Sequence, residues 1–184
     1  MPKRIPAIAV ISFALAYILA ANAISKEALR EYDVKAAFLY NFTRFTQWPP
    51  GIFRDAHTPL ILCVIGENPF GDALNAVARK RSNGRPVHVL LDVDTTHIGQ
   101  CHVAFFAFSE RIAIEDHLSR ITGPVLTVSD IPDFSERGGM IQLNRIGNRI
   151  RFEVNLAAAR DHNLTISSKL LKLASSVTRR QAQP

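Results

Sequence analysis

The stretch from Gly138 to Ala174, GGMIQLNRIGNRIRFEVNLAAARDHNLTISSKLLKLA, limits the possible folds more than any other part of this chain. Gly147-Asn148 lies between two alternating runs, and glycine at the first central position of a two-residue loop is what a type II′ hairpin turn demands. Pairing outward from that loop sets Arg145 against Ile150, Leu143 against Phe152 and Ile141 against Val154. The same register sets Asn144 against Arg151 and Gln142 against Glu153. One face is then apolar and the other polar and solvated, and a slip of one residue would mix them. Beyond the hairpin, Asn155 is placed to cap a short helix through Ala159, and Asn163 to end it in a left-handed conformation. Ser167 or Ser168 then opens a second helix with Leu170, Leu173, Ala174 and Val177 as its apolar stripe.

Upstream, residues 26–48 read as one long helix. Leu29, Tyr32, Ala36, Leu39, Phe38, Phe42 and Phe45 form its broad apolar face, and Pro49-Pro50 stops it. Four strands follow, at 60–65, 85–92, 101–108 and 125–128, the first and third of them apolar throughout. In the second of them, Val87, Val89 and Leu91 share a face. Between the strands lie a helix opened by Asn68 and Pro69 and running through Arg79, and another near 111–121. Continuous apolar strands alternating with helices indicate a mainly parallel sheet buried on both faces. The expectation is one three-layer, Rossmann-like α/β domain whose four parallel strands are extended by the C-terminal hairpin. Its first and third strands would be neighbours, which would bring Cys63 near Cys101.

The chain starts with Lys3 and Arg4, an apolar run from Ile5 to Ala21, and the small-residue triplet Ala21-Asn22-Ala23. A basic start, a short apolar run and an A-x-A site describe a cleaved secretory signal over residues 1–23. An uncleaved anchor is the alternative, but the run falls short of the ~20 residues that span a bilayer comfortably. Of the 184 residues, 161 then remain, with the domain at 24–177 and a disordered tail at 178–184. Losing two basic residues and no acid lowers the formal charge from +6 to +4. The remaining Lys and Arg are scattered without interleaved aromatics, which argues against nucleic acid. Two cysteines, Cys63 and Cys101, in an oxidising compartment read as one disulfide, with two buried thiols as the alternative.

Gly66-Glu-Asn-Pro-Phe-Gly71 has the G-x4-G spacing of a phosphate loop, but Asp72-Ala73 stands where Lys-Ser/Thr is needed. A tight turn is the plainer reading, and Gly138-Gly139 similarly suits a bulge or a tight entry to the next strand. His97, Cys101 and His102 form the one local group with ligand chemistry, and a disulfide at Cys101 would remove it from any metal site. Asp92, Asp94 and Asp130 would lie at strand ends, where a hydrolase would keep its acids, yet no partner base or nucleophile motif accompanies them. No catalytic residue, metal or cofactor is therefore assigned.

GGMIQL, RFEVNLAAA and LTISSKLLKLA, in that order, resemble the C-terminal signature of the YfiR-like periplasmic family. VKAAFLYNFTRFTQWP, LILCVIGENPFG, CHVAFF and PVLTVSD fall where that family has its matching segments. The resemblance implies a periplasmic, non-enzymatic regulator that binds and represses an inner-membrane GGDEF diguanylate cyclase, lowering cyclic-di-GMP and biofilm output. It further implies an outer-membrane OmpA-like lipoprotein as a second partner, a homodimer, and a Cys63–Cys101 pair resembling a redox-responsive element. Gly66, Gly71, Gly138 and Gly139 fall in the family's motif turns. The polar hairpin face, with Gln142, Asn144, Arg151 and Glu153, is the candidate partner surface. A periplasmic small-molecule-binding module serving a membrane receptor is the alternative.

Overall fold

The computed structural model describes residues 30–179. The signal segment expected at 1–23 therefore lies outside the described residues, as do positions 26–29 of the first helix. Residues 30–45 are helical (α1) and are followed by a short strand, β1 (Thr46–Gln47). Next come β2 (Leu60–Ile65), α2 (Ala73–Ala78), β3 (Arg81–Ser82) and β4 (Arg85–Leu90). A 3-10 turn at Thr95–Gln100 leads to β5 (Val103–Phe106), and another at Phe108–Ile112 leads to α3 (Ile114–Ser119). The chain ends through β6 (Leu126–Ser129), β7 (Ile141–Ile146), β8 (Arg149–Asn155), α4 (Leu156–Asp161), β9 (Thr165–Ile166), α5 (Ser168–Leu171) and β10 (Ser176–Thr178).

The main sheet has eight strands in the order β10-β8-β7-β6-β5-β2-β4-β3. β4, β2, β5, β6 and β7 run parallel, so the first hairpin strand belongs to the parallel core as well as to the hairpin. Taken in chain order, those five strands are arranged 2-1-3-4-5, a Rossmann-like α/β order that reverses between β2 and β5. The central strands β2 and β5 are apolar on both faces because both faces are covered. On one face Leu62, Val64, Phe105, Val128 and Phe152 meet α1 and α2; on the other Cys63, Ala104, Phe106 and Phe134 form a smaller core. Phe42 of α1 is fully buried, 5.8 Å from the Phe38 ring and 5.2 Å from Phe152.

The hairpin has the register its sequence pattern requires, from Ile141↔Val154 to Arg145↔Ile150. Gly147 takes φ +59° and Asn148 does not, as a type II′ turn needs. Asn155 caps α4 by accepting from Ala158 N–H, and Asn163 at φ +58° ends that segment. β2 and β5 are neighbours, and Cys63 and Cys101 are joined in a disulfide with 5.9 Å between their Cα atoms.

Several elements depart from the periodicity. α1 ends at residue 45 rather than Trp48, because Thr46 and Gln47 pair antiparallel with Thr165 and Ile166. α2 starts at Ala73 rather than Asn68: the Asn68 carboxamide accepts from Phe70 N–H and Gly71 turns left-handed, so residues 68–71 form a turn. β4 ends at Leu90, β5 spans only Val103–Phe106, and the helix expected near 111–121 is a 3-10 turn followed by the short α3. The last helix stops at Leu171. Ser175 N–H and Oγ both donate to Phe152 O, and Val177 then pairs in parallel with Val154. An edge of β8 thus captures a segment whose own spacing is helical. Thr178, the first residue of the expected tail, is the last residue of β10.

Candidate functional site

The carboxyl ends of the parallel strands form one continuous edge of the molecule, where α/β domains position ligands. Three features occupy it. At the reversal point between β2 and β5, Glu67, Asn68, Pro69, Phe108, Ser109 and Arg111 line an open crevice of about 440 Å³. Gly66 begins this loop at φ +83°, where a Cβ would collide with Ser109 and Glu110. Glu67 N–H donates to Ser109 Oγ, and the Arg111 guanidinium lies 4.7 Å over the half-exposed Phe108 ring. Gly71 closes the turn. The turn brings an aromatic ring and a cation to the crevice, and with Asp72-Ala73 in place of Lys-Ser/Thr it offers no phosphate cradle.

At the end of β6, Asp130 meets α1. Lys35 Nζ donates to Asp130 Oδ2 at 2.6 Å and to Glu31 Oε1 at 2.5 Å, and Tyr32 OH donates to Asp130 Oδ2 at 2.8 Å. Arg145 of β7 closes the chain of charges at 3.1 Å from Glu31 Oε2. Lys35 is only 4% exposed, while Asp130 Oδ1 is buried without a partner among the described residues. Burial, and next the Asp130 carboxylate, raises the pKa of the Tyr32 hydroxyl. A buried, hydrogen-bonded ion cluster of this kind fixes geometry more than it adds stability. It locks the start of α1 onto the ends of β6 and β7. The pattern that could have revealed it is a lysine at position 35, which falls on the stripe defined by Tyr32, Ala36 and Leu39.

Between the same end of α1 and the hairpin tip lies the third feature, a groove of about 630 Å³. Among the described residues, Arg30, Arg145, Arg149 and Arg151 surround it with the carboxylate of Glu31, and Val34, Phe38 and Ile150 supply an apolar floor.

The acids considered from the sequence do not assemble. Asp94 caps the 3-10 turn by accepting from Thr96 N–H and Oγ1, which holds its carboxyl below the usual range. Asp92 sits at φ +52° beyond the end of β4. Two intervening strands separate β4 from β6, so strand spacing alone puts roughly 14 Å between that pair and Asp130. His97 is exposed beside Thr96. His102 is buried, accepts from Ile61 N–H through Nδ1 and stacks on Phe53 with ring centroids 4.5 Å apart. Burial, and secondarily Arg85, pushes its pKa down to about 4. Cys101 is held in the disulfide.

The hairpin face is less open than its alternation implied. Gln142 is buried, and its Oε1 accepts from Ser135 N–H and Oγ. Its Nε2 donates to Asn144 Oδ1, and Asn144 Nδ2 donates to Glu153 Oε1. The loop at 130–138 covers this ladder because β6 and β7 pair over only Val128↔Ile141 and Ser129↔Gln142. Gly138 turns left-handed just before, and a Cβ on Gly139 would enter the Phe134 ring. Arg151 is exposed, and Asn144 and Glu153 are half-buried. Among the described residues no helix is long and apolar enough to cross a membrane. A family model described as YfiR/HmsC-like matches residues 32–175, from the start of α1 to the turn before β10.

Proposed function

The chain belongs to the YfiR/HmsC-like family, and on that membership we propose that it is an exported, non-catalytic regulator that binds and represses an inner-membrane diguanylate cyclase. The match over residues 32–175 carries the reading. The basic start, apolar run and Ala21-Asn22-Ala23 support export with cleavage after residue 23. Engagement of Asp94 and Asp130 in structural hydrogen bonds supports a binding role over turnover. Repression requires that the regulator prefer the inactive receptor, and a tenfold preference corresponds to about 1.4 kcal/mol. Asn144, Arg151 and Glu153 remain the contact candidates from the hairpin, with Gln142 acting beneath them. An OmpA-like lipoprotein would relieve repression by sequestering the regulator, and a homodimer is the expected assembly.

Deleting the gene is expected to raise cyclic-di-GMP. A secreted copy should lower it again, and a copy lacking residues 1–23 should not. Unchanged cyclic-di-GMP on deletion, with the cognate cyclase expressed, overturns the reading. N-terminal sequencing of the exported protein should begin at Ile24. One observation favours a second reading, a small-molecule module for a membrane receptor: the crevice at the β2/β5 reversal has the size of a ligand site.

A further inference from the structure

Among the described residues that line it, the groove carries more arginines than carboxylates. Glu31 is already held by Lys35 and Arg145. Among the described residues no ion pair engages Arg30, Arg149 or Arg151. Like charges crowded at one surface raise the local potential and favour an anionic occupant.

Strand geometry narrows that occupant. β10 pairs with β8 only from Glu153 to Asn155, so among the described residues the stretch from Arg149 to Arg151 has no strand neighbour on the side away from β7. Such an edge carries backbone donors and acceptors able to add another strand. Arg149 and Arg151 are two residues apart and share one face of β8, whereas Ile150 shares the other face with Arg145, its pairing partner. Val34 and Phe38 of α1 continue the apolar floor beside Ile150, and Val34 is 46% exposed.

We propose that this groove binds an extended acidic segment of the membrane partner, with carboxylates alternating with apolar side chains. The acids pair with Arg149 and Arg151, the apolar side chains rest on Ile150, Val34 and Phe38, and the segment's backbone extends the sheet at β8. Guanidinium–carboxylate pairing suits this arrangement, because each arginine fork can hold a carboxylate through two parallel hydrogen bonds. Identifying the occupant as the cyclase's periplasmic region rests on the function proposed above, whereas the groove's preference for acidic–apolar strands is testable without it.

The test uses the exported chain and a fluorescent peptide of alternating glutamate and valine. Lysine–valine peptide and phosphatidylglycerol vesicles serve as the other arms. Expected results are binding of the glutamate peptide, weakening with salt, at least tenfold loss in R149E/R151E, and no binding of the lysine peptide. The double variant should melt with the wild type, since both side chains are exposed. Equal affinity of wild type and double variant overturns the proposal, as does binding to vesicles but not to the glutamate peptide. In cells, the double variant should be secreted normally and fail to lower cyclic-di-GMP. Full repression by R149E/R151E overturns the groove as the receptor contact while leaving the regulator reading intact. Unchanged cyclic-di-GMP on gene deletion instead removes the regulator reading, and the peptide assay still decides the groove.

Discussion

The two faces of the sheet are covered by different means. On one, α1 lays Leu39 and Phe42 across the strands, and Phe38, Phe42 and Phe152 form an aromatic cluster with α2, α4 and α5 around it. The other carries two 3-10 turns, the short α3 and a loop, with Phe134 and Ile114 as its main inserts. The Cys63–Cys101 disulfide belongs to this thinner side, tying β2 to the segment that enters β5. A long helix can bury a stripe of large side chains in one cooperative unit, whereas turns cover less apolar area per residue. A covalent tie is therefore found where apolar cover is scarcest, which would suit the export proposed above, since disulfides persist in oxidising compartments.

The largest expected effect on that contrast comes from truncation in the thick face. Phe42→Ala should destabilise by about 3–5 kcal/mol, since the cavity among fixed aromatic rings cannot close. Phe134→Ala should fall at the low end of the same range, because the loop above it can settle. Urea titration of both variants checks this, and a larger loss at Phe134 would break the comparison.

Removing the disulfide comes next. With the cysteines 38 positions apart, C63A/C101A should cost about 3–4 kcal/mol through greater freedom of the unfolded chain. Amide exchange should rise first around β5 and α3 and last along α1. Equal melting temperatures with and without reductant would remove the disulfide's stabilising role, and uniform exchange would blur the distinction between faces.

A smaller effect is expected at the amino-terminal edge, where His102 lies under Phe53. Its folded pKa of about 4 lies below the ordinary value of 6.5, so the unfolded chain takes up the proton first as pH falls. This contribution is fully present above pH 6.5 and is lost as pH drops towards 4, at no more than about 1.4 kcal/mol per pH unit. H102N keeps an acceptor near Ile61 N–H and removes the titration, so its melting temperature should depend less on pH in that window. An unchanged pH slope would assign acid sensitivity to other groups.

Alternation and turn chemistry made the hairpin register legible, because a strand of period two with one apolar face admits a single pairing and Gly147 fixes the loop. Apolar runs interrupted by helices likewise determined the parallel, doubly covered sheet, and with it the approach of Cys63 to Cys101. Tertiary structure alone decided where helices gave way to strands: residues 176–178 left a helical spacing because β8 had an open edge, and 46–47 because β9 lay alongside. It also decided the site. Lys35 and Asp130 are 95 positions apart, and the groove joins residues 30–38 to 145–151, so no local pattern contains either. Periodicity reports which face a segment turns inward, but pairing of charges and competition for a free strand edge arise only once the layers have been brought together.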